Sequence, residues 1–184
     1  MPMMPARPLL LTLGFDRATF GRLDGLRARY FPPERNQIPA HLSLFHQLPG
    51  QEQGAIEDTL ARAARSAGPI PLTFTDIKRM GRGLMLPVQA TGLAPLRASL
   101  ARSFAPWLTD QDRQPFHPHV TIMNKAERAE VDSALDHLRG DWQPWTGRGE
   151  RLLLWRYLGG PWEAVEEYDL TGQTGPIEPP EKEG

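Results

Sequence analysis

One short pattern occurs twice in the chain, and this repetition constrains the fold more than any other feature. The sequence reads HLSL from His41 and HVTI from His119, so each histidine is followed two positions later by a hydroxyl residue. Side chains alternate between the two faces of a β-strand. We therefore expect His41 and Ser43 to share one face of a strand, and His119 and Thr121 to share one face of another.

The segments around the two patterns also repeat. A strand-like segment and an amphipathic helix precede each pattern, and a second helix and a strand follow it. From Pro8 to His41 is 33 residues, and from Gly83, in the corresponding strand, to His119 is 36 residues. The chain closes on a strand from Glu150 and a further strand after a GGP turn. The matching order and spacing predict an internal duplication.

Local signals predict where the helices begin. Asp16 is typical of an N-cap, and the helix that follows it carries Phe20 and Leu23 on its predicted apolar face. Asn124, with Glu127 three positions later, resembles a capping box. We therefore expect the helix after the second pattern to begin at Asn124.

Together these elements predict a duplicated, bilobal α+β fold in a single domain over residues 1–171. Antiparallel-rich sheets are expected to surround a central cleft, with the helices outside. The lobes cover roughly residues 8–80 and 82–170, and an exchange of strands between them is left open. Residues 172–184 have little apolar content and predict a disordered tail.

Composition argues against several classes of protein. The chain has 184 residues and a formal net charge of -1, whereas proteins that follow a long nucleic-acid duplex need an excess of Lys and Arg. It has no cysteine, which excludes disulfides, thiolate zinc sites and cysteine nucleophiles. No apolar run approaches the roughly 18 residues of a membrane-spanning helix. We expect a cytoplasmic monomer without membrane contact.

Two histidines on opposite walls of one cleft suit phosphodiester chemistry that uses no metal. One imidazole takes a proton from the attacking oxygen, and the other gives a proton to the leaving oxygen. The hydroxyl groups of Ser43 and Thr121 can donate hydrogen bonds to the non-bridging phosphate oxygens. A single strand histidine is more often a core residue, and such hydroxyls often bond local backbone. The paired occurrence favours catalysis.

Paired His-x-Ser/Thr motifs on matching strands of a duplicated α+β chain resemble the two-histidine (2H) phosphoesterase superfamily. This superfamily includes the RNA 2′-5′ ligase-like proteins and cyclic phosphodiesterases, and the resemblance extends from the first strand to the last. It implies that His41 and His119 are the catalytic pair and that Ser43 and Thr121 contact phosphate. It also implies that no cofactor or metal is needed. The implied substrate is a nucleotide or short RNA with a 2′,3′-cyclic phosphate or a 2′-5′ linkage.

Other residues near the motifs are weaker candidates. Lys125 directly follows the second motif strand and is a candidate contact for a ligand phosphate. His117 and His119 lie on one face of a strand and could share a metal with His41, a hypothesis that ranks below metal-free catalysis. His46 is expected on the opposite face from His41, provided that the strand is regular.

Two aromatic residues and two alternative functions remain open. Trp155 and Tyr157, on a closing strand, could stack on a base. The chain could be a binding module that recognises phosphorylated nucleotide or RNA ends without turnover, or a metal-dependent hydrolase. Product formation distinguishes an enzyme from a binding module, and sensitivity to a chelator distinguishes the metal-dependent case.

Overall fold

The structure is a computed structural model that describes residues 4–172. The tail predicted from residue 172 onward lies, apart from Gly172, outside the described residues. The first half of the chain contains β1 (Leu9–Phe15), α1 (Arg17–Tyr30), β2 (Leu42–Leu48), α2 (Gln53–Ser66), β3 (Ile70–Phe74) and β4 (Lys78–Met80). The second half contains β5 (Gly83–Gln89), α3 (Leu93–Ser103), α4 (Asp110–Arg113), β6 (His119–Met123), α5 (Arg128–Asp141), β7 (Trp145–Tyr157) and β8 (Trp162–Asp169).

The two halves of the chain pair their strands in the same way. β1 pairs with β2, and β5 pairs with β6, so the opening strand of each half lies beside its histidine-bearing strand. The closing strand of each half lies beside the opening strand of the other half, because β7 pairs with β1 and β3 pairs with β5. The result is an eight-stranded antiparallel sheet with helices, which confirms the predicted α+β class.

The aliphatic residues of the motifs face the hydrophobic core. Strand β1 lies between β2 and β7, and all seven of its residues are buried. In the motif strands, Leu42 and Leu44 of β2 and Val120 and Ile122 of β6 are 0–1 % exposed. Because strand side chains alternate, the histidine and hydroxyl residues between them are directed away from this core.

Helix α1 begins as predicted and buries Leu23 of its predicted apolar face, but Phe20 of that face is exposed. The carboxylate of Asp16 accepts a hydrogen bond from the backbone N–H of Thr19 at 2.7 Å, as expected of an N-cap. The helix buries Thr19 and Arg27, whereas Phe20 is 37 % exposed. The prediction for Phe20 is wrong because Thr19 Oγ1 accepts a hydrogen bond from the backbone N–H of Arg148 in β7 at 3.1 Å.

Helix α5 begins later than predicted. Its N-cap is Glu127, whose backbone N–H donates to the Glu130 carboxylate at 3.1 Å, and Glu127 accepts in return from the backbone of Glu130. A capping box of Asn124 and Glu127 is therefore wrong. Lys125 lies between them in the left-handed conformation, with φ of 55°, which a right-handed helix cannot contain.

Strand β7 is longer than the predicted strand from Glu150. It begins five residues earlier, at Trp145. The extra residues pair with β3, in a register that runs from Ile70 opposite Gly149 to Phe74 opposite Trp145. One long strand therefore connects both halves of the molecule.

Candidate active site

The two histidine motifs occupy equivalent places in the fold. His41 immediately precedes β2, and His119 is the first residue of β6. His41, Ser43, His119 and Thr121 are all half-buried. Each motif thus presents an imidazole and a hydroxyl group on the side of its strand that faces away from the core.

Both imidazole rings are oriented by the same backbone contact. Nδ1 of His41 lies 2.9 Å from the carbonyl oxygen of Pro39, and Nδ1 of His119 lies 2.9 Å from that of His117. A carbonyl oxygen only accepts hydrogen bonds, so Nδ1 carries the hydrogen in both rings. In the neutral form Nε2 then holds the lone pair. Nε2 is the nitrogen that can exchange a proton with a ligand.

The surroundings of His41 keep its imidazole uncharged near neutral pH. Burial lowers the pKa of His41 to about 4, against the opposing effect of the hydrogen bond to Pro39. The positive charge of Arg27, and that of His119 and His46 when protonated, lower the pKa further. Strands β2 and β6 contact each other, which brings His119, from the other half of the chain, to the same region as His41.

Arg27 connects the two motifs, although it was not predicted from the sequence as a site residue. Its side chain extends from α1 and is buried. The guanidinium donates to the carbonyl oxygens of Thr121 at 2.8 Å and Ile38 at 3.0 Å, and to Oδ1 of Asn36 at 3.2 Å. No local pattern in the sequence indicates these contacts, because Thr121 is 94 positions away from Arg27.

A cavity of about 540 Å³ opens beside His41. Of the predicted site residues, His41, Thr121 and Lys125 line it, together with Arg27. His119 and Ser43 are not among its lining residues. The cavity therefore combines the histidine of the first motif with the hydroxyl residue of the second motif. This combination is expected if the two motif strands lie side by side and run in opposite directions.

Aromatic side chains form one wall of this cavity, although not the pair proposed from sequence. Tyr157 lines the cavity and is exposed, whereas Trp155 donates its indole N–H to Oγ1 of Thr12 at 2.9 Å. Trp162, which was not predicted from the sequence, lines the cavity and meets the ring of His41 edge-on at 4.7 Å between centroids. Phe31, Tyr157 and Trp162 are the aromatic residues that line the cavity.

Lys125 reaches the cavity from an unusual backbone position. Its left-handed conformation is uncommon for a residue with a side chain and costs on the order of 1 kcal/mol. Its backbone N–H donates to Oδ1 of Asn124 at 2.8 Å, and Asn124 also lines the cavity. The turn thereby places both side chains at the rim beside His41.

His46 does not join the core-facing side of β2, so its predicted position is wrong. That prediction required a regular strand, but the register against β1 shifts between the pairs Thr12 with Ser43 and Leu11 with Phe45. This bulge places Phe45 in the core and leaves His46 exposed. His46 therefore lies on the same side of β2 as His41 and Ser43.

Residues 4–172 contain neither a metal-binding cluster nor a membrane-spanning helix. No three His, Cys, Asp or Glu side chains in this part of the chain lie close enough together to hold a metal ion, including those around His117. No helix in the same range is long and apolar enough to cross a membrane.

Solved structures share this fold over almost their full length. TT0787 of Thermus thermophilus matches with a TM-score of 0.67 and 19 % identity, over 91 % of this chain and 100 % of that chain. Escherichia coli LigT complexed with 3′-AMP matches with a TM-score of 0.64 and 21 % identity, over 91 % and 99 % of the two chains. A protein described as a phosphoesterase matches with a TM-score of 0.62 and 20 % identity, over 90 % and 99 %.

A family model gives the stronger assignment. No curated protein matches the sequence significantly. The model of the 2′-5′ RNA ligase superfamily matches residues 15–161, which include both histidine motifs. This match confirms the resemblance stated from the motifs and supports a phosphoesterase type of function. The chain belongs to the 2′-5′ RNA ligase superfamily.

Proposed function

We propose that the protein is a metal-independent phosphodiesterase that acts on a nucleotide or RNA end. The reacting group is a 2′,3′-cyclic phosphate or a 2′-5′ linkage. His41 and His119 are the acid-base pair, Ser43 and Thr121 donate hydrogen bonds to the phosphate, and Lys125 contributes a positive charge.

The observation that carries this proposal is the matched orientation of the two imidazoles. Each ring donates Nδ1–H to the carbonyl oxygen two residues before it, at the same distance of 2.9 Å. A structural histidine has no need of a free Nε2, whereas an acid-base pair needs one on each ring. Escherichia coli LigT, which shares the fold, has been solved with 3′-AMP, a nucleotide of the kind expected here.

Proton transfer by this pair balances without another reactant. In hydrolysis of a cyclic phosphate, one Nε2 takes a proton from water as its oxygen bonds to phosphorus. The bond from phosphorus to one ribose oxygen breaks, and the other Nε2 gives that oxygen a proton. Because the pKa of His41 is lowered to about 4, the unliganded protein holds His41 ready as an acceptor. The direction of the reaction decides which ring acts first as acid.

The test is turnover of 2′,3′-cyclic mononucleotides and a 2′-5′-linked dinucleotide in the presence of a chelator. Wild type is compared with His41→Ala and His119→Ala, and His137→Ala in α5 is the matched control. Acid-base catalysis contributes about 10²- to 10⁴-fold per group. We expect each active-site variant to lose at least the lower of these factors while the control retains wild-type turnover.

The other outcomes separate the remaining functions. Binding of nucleotides without any product would identify a binding module. Activity that a chelator abolishes would identify a metal-dependent hydrolase. Turnover that is indifferent to either histidine would overturn the assignment of the pair.

A further inference from the structure

A third histidine beside the motifs is held by a buried carboxylate. The side chain of Asp112, in α4, is 1 % exposed, while that of His46 is 44 % exposed. Nδ1 of His46 lies 2.9 Å from the Asp112 carboxylate, which also accepts the backbone N–H of His46 at 2.9 Å and that of Gln47 at 3.0 Å. The imidazole is thus held through Nδ1, and Nε2 makes no hydrogen bond to other residues in the range 4–172.

Asp112 stays ionised in this arrangement. Burial opposes its ionisation, but the hydrogen bonds from the ring and backbone of His46 and from the backbone of Gln47 outweigh it and lower the pKa of Asp112. The guanidinium of Arg97, 8 % exposed, lies nearby and donates to the backbone carbonyl of Asp112 at 2.7 Å. The hydrogen bond from Nδ1 to a carboxylate fixes the tautomer and the orientation of the His46 ring.

Arg97 also secures the bulge that turns His46 outward. Its Nε donates to the carbonyl oxygen of Leu44 at 2.8 Å, and its guanidinium lies over the ring of Phe45 at 3.9 Å. These contacts connect α3, the bulge of β2 and α4. These contacts therefore fix the backbone of the bulge, and with it the direction in which the side chain of His46 points.

His46 lies close to the proposed reacting site. It is on the same side of β2 as His41 and Ser43. Since the bulge takes up one residue, His46 lies about two ladder positions beyond Ser43, or roughly 7 Å. That separation is comparable with the spacing of neighbouring phosphates in a nucleic-acid strand.

The duplication gives a second reason to place His46 in the cleft. His46 follows His41 by five residues, and Asn124 follows His119 by five residues. Asn124 lines the cavity beside His41, the histidine of the other motif. Since the two halves are duplicates, we expect His46 to lie beside His119 in the same way.

We propose that His46 binds the phosphodiester adjacent to the reacting phosphate, so that the preferred substrate is an RNA end of at least two nucleotides. This inference rests on the proposed function. An imidazole between a carboxylate and a phosphate takes up a proton and donates a hydrogen bond from each nitrogen. Nε2 then donates to a phosphate oxygen that a mononucleotide lacks.

The experiment compares a mononucleotide and a dinucleotide as ligands and as substrates. Affinities for 3′-AMP and for ApAp, the dinucleotide that ends in a 3′-phosphate, are measured by calorimetry. Turnover is measured on the corresponding 2′,3′-cyclic phosphates. The proteins are wild type, His46→Ala, and Gln47→Ala, which removes the neighbouring exposed side chain but keeps its backbone bond to Asp112.

We expect wild type to bind ApAp more tightly than 3′-AMP. In His46→Ala, ApAp should bind about tenfold more weakly or worse, the effect of one charge-assisted hydrogen bond, while 3′-AMP binding is unchanged. Gln47→Ala should resemble wild type with both ligands. The preference for the cyclic dinucleotide over the cyclic mononucleotide should fall by the same factor as the affinity.

Failure of this inference and failure of the proposed function give different results. If wild type binds both ligands equally, or if His46→Ala affects both to the same extent, His46 is not a contact for the adjacent phosphate. If wild type turns over neither cyclic substrate, the proposed function fails, and the affinities for 3′-AMP and ApAp still decide the role of His46.

Discussion

At the scale of single residues, the proposed chemistry depends on which nitrogen of each imidazole is free. The backbone carbonyls of Pro39 and His117 hold the Nδ1–H groups, so the two Nε2 atoms are presented in the same way. This orientation uses main-chain atoms alone, and a change of side chain at either carbonyl residue leaves the contact possible. Because neither contact involves Ser43 or Thr121, these hydroxyl residues can be substituted without removing the hydrogen bonds that orient the rings.

Removal of the Thr121 hydroxyl tests its proposed contact with phosphate. Thr121→Val keeps the branched shape but loses the donor, and one such donor contributes about 10²- to 10³-fold to kcat. We expect a loss of this order in kcat, and recovery of much of it in Thr121→Ser, which restores the hydroxyl. Kinetics of the two variants on one cyclic substrate provide the measurement. Equal activity in both would mean that the hydroxyl bonds only protein.

The lowered pKa of His41 predicts how stability depends on pH. The folded protein keeps His41 neutral down to about pH 4, whereas the unfolded chain takes up a proton near the ordinary histidine pKa of 6.5. Between these values the unfolded state binds more protons, so the free energy of unfolding decreases as the pH falls from 6.5 to 4. Above pH 6.5 His41 is neutral in both the folded and the unfolded state, so this loss of stability is absent there.

Urea unfolding of wild type and His41→Gln across this range measures the effect. The variant should lose less stability on acidification than wild type, because it lacks this proton uptake. All other titrating groups are common to the two proteins and cancel in the difference. Parallel pH profiles for the two proteins would show that the pKa of His41 is not lowered.

At the scale of secondary structure elements, two buried arginines connect the halves of the molecule. Arg27 of α1 donates to the carbonyl oxygen of Thr121 in β6, and Arg97 of α3 donates to that of Leu44 in β2. The first helix of each half therefore reaches the motif strand of the other half. This arrangement sets how the two histidines face each other.

Replacement of Arg27 tests this connection. Arg27→Met removes the charged donor that the carbonyls of Ile38 and Thr121 share, and hydrogen bonds to charged groups contribute about 1.5–3 kcal/mol. We expect the free energy of unfolding to fall by about 2 kcal/mol or more. The pKa of His41 should rise, because a nearby positive charge is removed.

Arg29→Met is the matched control, two residues along the same helix. Arg29 is exposed, and its guanidinium contacts the rings of His137 and Tyr30. Exposed contacts of this kind contribute about 0–1 kcal/mol. Urea unfolding gives the stabilities, and an NMR titration of the histidine rings gives the pKa. Equal destabilisation by both substitutions would contradict the connecting role of Arg27.

At the scale of the whole molecule, exchanged strands make the two predicted lobes depend on each other. β3, from the first half, pairs with β5 and β7, and β7 in turn pairs with β1. Neither half keeps its sheet intact without a strand from the other. The predicted single domain should therefore behave as one cooperative unit, although its sequence is a duplication.

We expect one unfolding transition rather than two. Urea unfolding followed by tryptophan fluorescence and by far-ultraviolet circular dichroism should give coincident curves, the signature of two-state behaviour. Two separated transitions, or curves with different midpoints, would show that the lobes unfold independently.

Local sequence patterns were enough to predict the fold class, the order of elements and the two motif strands, since these follow from periodicity and from spacing along the chain. The start of α1 at Asp16 was predicted for the same reason. The start of α5 was misplaced because Lys125 is left-handed and the backbone N–H of the next residue, Ala126, donates to the carbonyl oxygen of Arg82, far away in the sequence. The choice of His41, Ser43, His119, Thr121 and Lys125 as site residues stays a prediction for the experiments above.

The residues that surround the motifs became apparent only from the packing of the folded chain. Arg27 meets Thr121 across 94 positions of sequence, and Asp112 meets His46 across 66. The outward position of His46 arises from a bulge, which a period-two pattern does not reveal. Such contacts depend on how the two halves pack and exchange strands. No local preference of the chain encodes them, because the groups that satisfy each other come from opposite lobes.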